Sequence, residues 1–457
     1  MAFFTFAHLM SYQTVFLLIY VFVCFFSRLS ETLGVNTIKR HIFYEAIQTK
    51  FSIQLNSASS LNKDKKIALQ FIILMGFVSM FGDITYEGAR SISGPYLAML
   101  GASASIVGLV AGLGELIGYT LRLISGYVAD RTKEYWPITI AGYGLLCAIP
   151  LIALTDHWEI AALLIIMERI GKGIRTPARD AILSHTTKQV GRGFGFGLHE
   201  ALDQIGAIIG PLIFSAVFFL KGGYRGGFTI LWIPAVLCIV ILLLARNKVP
   251  SPVALETSRK TDGQKKADGR NKLSRTFWFY ALFTFFSVAG FVNFQIISYH
   301  FKIQSVVSET QIPIFYAIAM GMDALVALVI GKTYDKVGLT TLITIPLLTL
   351  PIPFLAFSNS YNMAIITALL WGAVMGVHET IMRAAIADLV SIEHRGFAYG
   401  IFNTIYGVAW FAGSTIMGFV YDFSILDIIA FTVIMELISL IAFFLLRKEI
   451  LLCWNNA

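Results

Sequence analysis

Residues 126–136 read Gly126-Tyr127-Val128-Ala129-Asp130-Arg131-Thr132-Lys133-Glu134-Tyr135-Trp136, a short charged hairpin between two long apolar segments. A second version runs Gly331-Lys332-Thr333-Tyr334-Asp335-Lys336-Val337-Gly338. In both, a glycine closes an apolar run, an aspartate follows four residues on, and a base comes next. A soluble loop has no reason to recur in the same setting. Arg192-Gly193-Phe194-Gly195-Phe196-Gly197 is likewise echoed by Arg395-Gly396-Phe397-Ala398-Tyr399-Gly400, at nearly the same offset. The sequence therefore carries an internal duplication, as bundles of membrane helices commonly do.

Composition agrees. The 457 residues are 57% hydrophobic and only 14% charged, with a mean hydropathy of +0.74, whereas soluble proteins carry about 25% charged residues. Windows of about 20 apolar residues, enough to cross a bilayer, recur throughout. The expected fold is all-α and polytopic, in contact with lipid along most of its length. The net charge of +8 does not imply nucleic acid, because the bases collect in loops on one side. Cys24, Cys147, Cys238 and Cys453 stand singly and read as packing residues.

The stretch 1–65 is an N-terminal hydrophobic segment and polar linker. Its apolar part, 2–26, reads as an extra span, a surface anchor or a signal-like segment. Twelve spans follow, near 66–98, 104–127, 137–155, 158–184, 194–220, 226–246, 275–301, 308–332, 340–357, 362–389, 396–420 and 425–447. They form two halves of six, 66–246 and 275–447, joined by a solvated linker at 247–274 and followed by a tail at 448–457. The stretch 246–275 holds nine Lys or Arg, and the hairpin adds Arg131 and Lys133. The opposite loops carry only Lys221, Arg225 and Lys302. The positive-inside rule puts hairpins and linker in the cytoplasm, and the setting reads as the inner membrane of a bacterium.

Twelve spans in two halves with this hairpin resemble the major facilitator superfamily. Gly126, Asp130 and Arg131 match its Gly-x-x-x-Asp-Arg motif, with Lys133 in place of a later glycine that the second copy keeps as Gly338. Arg169-Ile170-Gly171-Lys172-Gly173 is similar to the Arg-x-x-Gln-Gly motif, with lysine for glutamine. Gly197, Gly206, Gly210 and Pro211 match the core of the antiporter motif, although Phe214 and Ser215 replace its closing glycines. The resemblance implies a drug–proton antiporter working by alternating access. Gly126, Asp130, Arg131, Gly331 and Asp335 would then be conformational latches. Glycines spaced by four let helices approach closely where lipid gives no hydrophobic drive, and Pro211 can bend its helix.

Charges inside spans cost about 2.5–3.5 kcal/mol each on insertion scales, so they mark pathways or partners. Asp83, Glu87 and Arg90 share a helix face by their spacing, as do Glu115 and Arg122. With Arg169, Glu200 and Asp203 they are the expected proton-coupling set, because burial disfavours a charged carboxyl while a neighbouring guanidinium favours it. Static ion pairing is the competing reading. The second half is poorer in charge, offering Asp323, His378, Glu379 and Arg383. Asn293 and Trp371 are the expected substrate contacts there. His199 and Asp203 share a face, but two groups do not make a metal site, and no nucleotide-binding or hydrolase motif appears. The expectation is a monomeric secondary transporter, not an enzyme, that needs no cofactor and moves a small molecule with protons. Uptake by symport and a non-transporting receptor are the alternatives.

Overall fold

A computed structural model describes residues 63–187, 190–251, 273–390 and 394–455. The hydrophobic stretch 2–26, the centre of the interhalf linker and the end of the tail lie outside them. The chain divides at Lys66, and the larger unit, Ile67–Ala457, holds the helical body.

That body is twelve helical passes. We number them α1 (Ile67–Met99), α2 (Ala104–Thr132), α3 (Tyr135–Leu154), α4 (Trp158–Thr187), α5 (Arg192–Phe219), α6 (Gly223–Lys248), α7 (Arg275–Ile303), α8 (Gln311–Val337), α9 (338–356), α10 (Tyr361–Leu389), α11 (Arg395–Tyr421) and α12 (Ile425–Asn455). Ten segments among the described residues are long and apolar enough to cross a membrane. One of them, Gln311–Ala356, turns at Gly338, whose φ of 64° suits a residue without a side chain. It thus supplies both α8 and α9. Helix α4 falls outside the ten because it is strongly charged, yet its 30 residues are one continuous helix.

Local chemistry sets the ends. Ser103 opens α2 by accepting from the Ile106 amide, and Ser274 does the same for α7 through Phe277. At the hairpin, α2 continues through Thr132. Lys133 then adopts a left-handed conformation, φ 59°, and its amide bonds to Ala129 O at 2.9 Å. Gly126, Asp130 and Arg131 therefore lie on the last turns of a helix and not in the loop, a correction to the sequence reading. The turn proper is only Lys133–Glu134. A Cβ on Gly126 would stand 3.5 Å from Pro177 of α4, and one on Gly331 3.5 Å from Thr380 of α10, ordinary contact distances at which packing does not demand glycine in either copy.

Helix α7 is broken. Its first part ends at Gly290 and its second begins at Phe294, with Asn293 capping the restart by accepting from the Ile296 amide at 2.9 Å. Trp371 of α10 donates Nε1–H to Val292 O in the break at 2.9 Å and stacks on Phe291. Both residues are fully buried. These bonds seal a backbone interruption that lipid could not satisfy.

The halves meet along α2 with α11 and along α5 with α8. One end of the α2–α11 seam is tight. A Cβ on Gly108 would lie 2.9 Å from the Cα of Gly418, and one on Gly112 2.9 Å from Phe411 O. Asp422, just beyond α11, caps the start of α2: Oδ1 accepts from Ala104 N at 3.2 Å, and Oδ2 from Ser105 N at 3.0 Å and Ser105 Oγ at 2.5 Å. Towards the hairpins the halves part. One interhalf cavity opens at that basic face, and its opposite end is shut.

Candidate functional site

The interhalf cavity measures about 640 Å³. All eight residues expected from the sequence to couple protons line it: Asp83, Glu87, Arg90, Glu115, Arg122, Arg169, Glu200 and Asp203. They come from α1, α2, α4 and α5, whose polar faces turn inward because the opposite faces pack against other helices or meet lipid.

At the closed end lies a cation–carboxylate knot. Glu115 Oε1 accepts from Arg169 Nη2 at 2.7 Å and from Arg90 Nη2 at 3.2 Å. One carboxylate so bridges two guanidinium groups, each less than a tenth exposed. Tyr86 presents its ring to the same cations, 4.4 Å from the Arg169 guanidinium and 3.9 Å from Lys172 Nζ. Glu87 stands 3.7 Å from Arg90 and 3.9 Å from Lys172 through Oε1, while its Oε2 accepts from the Tyr316 hydroxyl at 2.6 Å. Tyr316 belongs to α8, so this bond joins the halves. Deeper in the N-terminal half, Arg175 pairs with Glu168 at 3.0 Å in full burial.

The wall made by Asp83 of α1 with α5 and α10 is different. Asp83, Glu200, Asp203 and Glu379 line the cavity yet make no ion pair with a described residue within 4 Å. Asp203 Oδ1 is buried without a hydrogen-bond partner, and so is Asp323 Oδ1 on α8. Arg383 and the Tyr119–Tyr406 pair, 4.9 Å between centroids, complete this side. Among the described residues, seven cationic and seven carboxylate side chains border the cavity, so this part of its lining is formally neutral. The arrangement can hold a small molecule bearing charge of either sign, and it leaves carboxylates free to take up protons.

Other expected positions fall elsewhere. Asp130 and Asp335 are exposed near the ends of α2 and α8. Arg131 bonds the Tyr127 hydroxyl at 2.9 Å, and Gly126 lies at the cavity mouth. Gly206 and Gly210 are sites of close helix approach: a Cβ on Gly206 would stand 3.0 Å from Met80 Cα, and one on Gly210 2.7 Å from Gly88 N. Gly197 faces open space, so it is not one of these close contacts. Asn293 and Trp371 are not among the residues that line the cavity: Asn293 Oδ1 caps a helix and Trp371 Nε1 donates to a backbone carbonyl, while Asn293 Nδ2 is buried without a hydrogen-bond partner. Of the other residues here, Tyr86 is not singled out by the sequence, while Lys172 stands out only within a motif, Glu379 only as a charge of the second half and Tyr316 only as one of several aromatic side chains. Glu436, inside the last span and fully buried, was also passed over. An isolated carboxyl in an apolar run was the signal that could have found it.

The sequence profile of the Major Facilitator Superfamily matches residues 67–414 and again 307–451. The chain belongs to the major facilitator superfamily. It is 39% identical over 382 residues to an uncharacterized protein of Mycobacterium tuberculosis, covering 83% of this chain and 93% of that one. It is 27% identical over 374 residues to an uncharacterized MFS-type transporter of Methanocaldococcus jannaschii, covering 79% and 91%. Among solved structures it resembles the D323A mutant of the nucleoside transporter NupG, with a TM-score of 0.65 at 15% identity over 83% of this chain and 99% of that one. The chain is thus a facilitator-type secondary transporter with twelve membrane helices in two halves. Its cavity lies between those halves, where alternating-access transporters bind their cargo.

Proposed function

We propose that this transporter exports a small organic solute from the bacterial cytoplasm in exchange for protons, acting as a monomer in the inner membrane. The observation that carries the reading is the cavity itself. It joins the eight titratable positions in one space that opens at only the basic face, which the positive-inside rule makes cytoplasmic. The halves 66–246 and 275–447 rock about the cavity, with 247–274 linking them. Glu87 is the central coupling group, since its carboxylate holds Arg90 and Lys172 on one side and the Tyr316 hydroxyl of the other half. Protonating it weakens both cation contacts and loosens the bridge. Asp83, Glu200 and Asp203, lacking cation partners, relay protons along the acidic wall. Asp130 is the latch that docks when the cytoplasmic side closes.

Export is favoured by the antiporter-type glycines, since Gly210 meets the backbone of α1 at Gly88 and Pro211 follows. Uptake by symport is the second reading. Phe214 favours it: where the antiporter motif has glycine, this ring is fully buried against Phe228, 5.3 Å away.

The test is accumulation of dyes and drugs in efflux-deficient bacterial cells expressing the wild type, Glu87→Gln or Asp130→Asn, with and without a protonophore. Lower accumulation in the wild type, lost with either substitution or the protonophore, is expected. Higher accumulation in the wild type would replace export by symport, and no difference across a broad panel would sink the multidrug reading.

A further inference from the structure

Away from the cavity, α12 buries a carboxyl that no step above uses. Glu436 is fully buried. Its Oε2 accepts from Ser439 Oγ at 3.0 Å, and its Oε1 has no hydrogen-bond partner. No cationic side chain among the described residues pairs with it. An ionised carboxylate in such a place needs a counter-charge.

Glu436 lies against the break in α7. A Cβ on Gly290 would stand 2.8 Å from Glu436 Oε1, so the carboxyl lies against the last residue of the first part of α7, where the helix breaks. Phe283 and Phe443 meet at 6.2 Å. Seven residues on from Phe283 is Gly290, and seven back from Phe443 is Glu436, which fixes an antiparallel register between α7 and α12. In that register Ser287 stands opposite Ser439, one turn from Glu436, and Thr432 precedes Glu436 by one turn on the same face. Ser287 Oγ and Thr432 Oγ1 are fully buried and without partners. A helix end also presents the negative end of its dipole and leaves last carbonyls without intrahelical donors, although here Val288 O accepts from the Phe291 amide at 3.3 Å.

We propose that the break in α7 and the Glu436 face of α12 form a sodium site, separate from the cargo cavity. A single carboxylate balances one monovalent charge. The hydroxyls of Ser439 and Ser287 and the carbonyls at the end of Gly290's helix supply hard, neutral oxygens, the kind that unwound membrane helices offer to sodium. With one carboxylate and no imidazole or thiolate, the set suits neither zinc nor a divalent ion of higher charge. Sodium there would tie α12 to the broken helix and brace the C-terminal half independently of cargo.

The test uses the full-length purified protein in detergent. Its thermal unfolding is followed as sodium chloride replaces choline chloride at constant ionic strength and pH, together with direct binding of radioactive sodium. Sodium should raise Tm saturably and bind once per chain. Glu436→Gln should abolish both effects, and Ser287→Ala should weaken binding by at least about tenfold. Gly290→Ala, whose methyl group enters the space of Glu436 Oε1, should do the same. Glu87→Gln, in the cavity, should leave sodium binding unchanged. Should Glu436→Gln fail to fold, the alanine variants at 287 and 290 decide the matter. A wild-type Tm that ignores sodium, with no bound radioactivity, would overturn the proposal and make Glu436 a protonated packing group. Binding that survives both alanine variants, or that vanishes with Glu87→Gln, would overturn it as well.

Discussion

Two aspartates bracket the long helix α2, and they are in opposite conditions. Asp422 is docked: three donors from Ala104 and Ser105 converge on its carboxylate and tie the end of α11 to the start of α2. Asp130, at the far end of α2, is exposed. Each is an acidic group suited to a helix N-terminus, where free amides and the dipole favour an anion. The difference lies in which end of the interhalf seam is closed. The engaged aspartate lies at the shut end and the free one at the open end, so with the latch role proposed above for Asp130 the pair would read out the state of the transporter.

The largest expected effect comes from the glycine seam beside Asp422. Gly108→Leu puts a branched side chain where a Cβ alone would be 2.9 Å from Gly418 Cα. The observed closed end could not form, and transport should fall by about a hundredfold or more, a barrier change near 2.7 kcal/mol. A Cys replacing Ser414, which faces Gly112 across the seam, should then react readily with an impermeant thiol reagent from that side. Retained transport with an unreactive Cys would show that the seam is not the gate.

Asp422→Ala should act more gently. Hydrogen bonds to a charged group contribute about 1.5–3 kcal/mol each, and part of the loss is made up by water. The rate of labelling at position 414 should rise about tenfold. An unchanged rate would mean that the docked aspartate contributes nothing to the closed end.

Tyr316→Phe removes one hydrogen bond across the cavity, from Tyr316 to Glu87. A shift of about 1 kcal/mol towards the other state is expected, seen as a severalfold change in the same labelling rate. The smallest effect on stability belongs to Asp130→Asn, within about 0.5 kcal/mol for an exposed side chain. Thermal unfolding of the purified variant should match the wild type while its transport slows. A large drop in Tm would show that Asp130 is engaged in the resting protein and would break the comparison.

Much of this was legible in the sequence. Apolar run length and loop charge predict twelve passes, and the helices begin and end within a few residues of the expected spans, except at the hairpins and at the C-terminal end of α12. The charged faces of α1, α2, α4 and α5 were also readable, because a charge within lipid must turn towards the protein interior. The second half was harder. Aromatic and amide side chains pack, cap helices and bind cargo with equal ease, so Trp371 and Asn293 looked like contacts while serving the break in α7. Periodicity cannot show a helix break either, since the residues around Gly290 are as apolar as their neighbours. Pairing across the cavity, as between Glu87 and Tyr316, depends on the docking of two halves and leaves no local signature.

The balance of seven cations and seven carboxylates around the cavity has an electrical consequence. A membrane potential does work of about 2.3 kcal/mol per elementary charge for each 100 mV crossed. With its described lining fully ionised, the transporter free of cargo and protons exposes no net charge to that field as its cavity changes sides. Such an empty change of sides should therefore be nearly indifferent to voltage, whereas the return step of the proposed exchange carries protons, and the current that accompanies transport belongs to them and to the cargo.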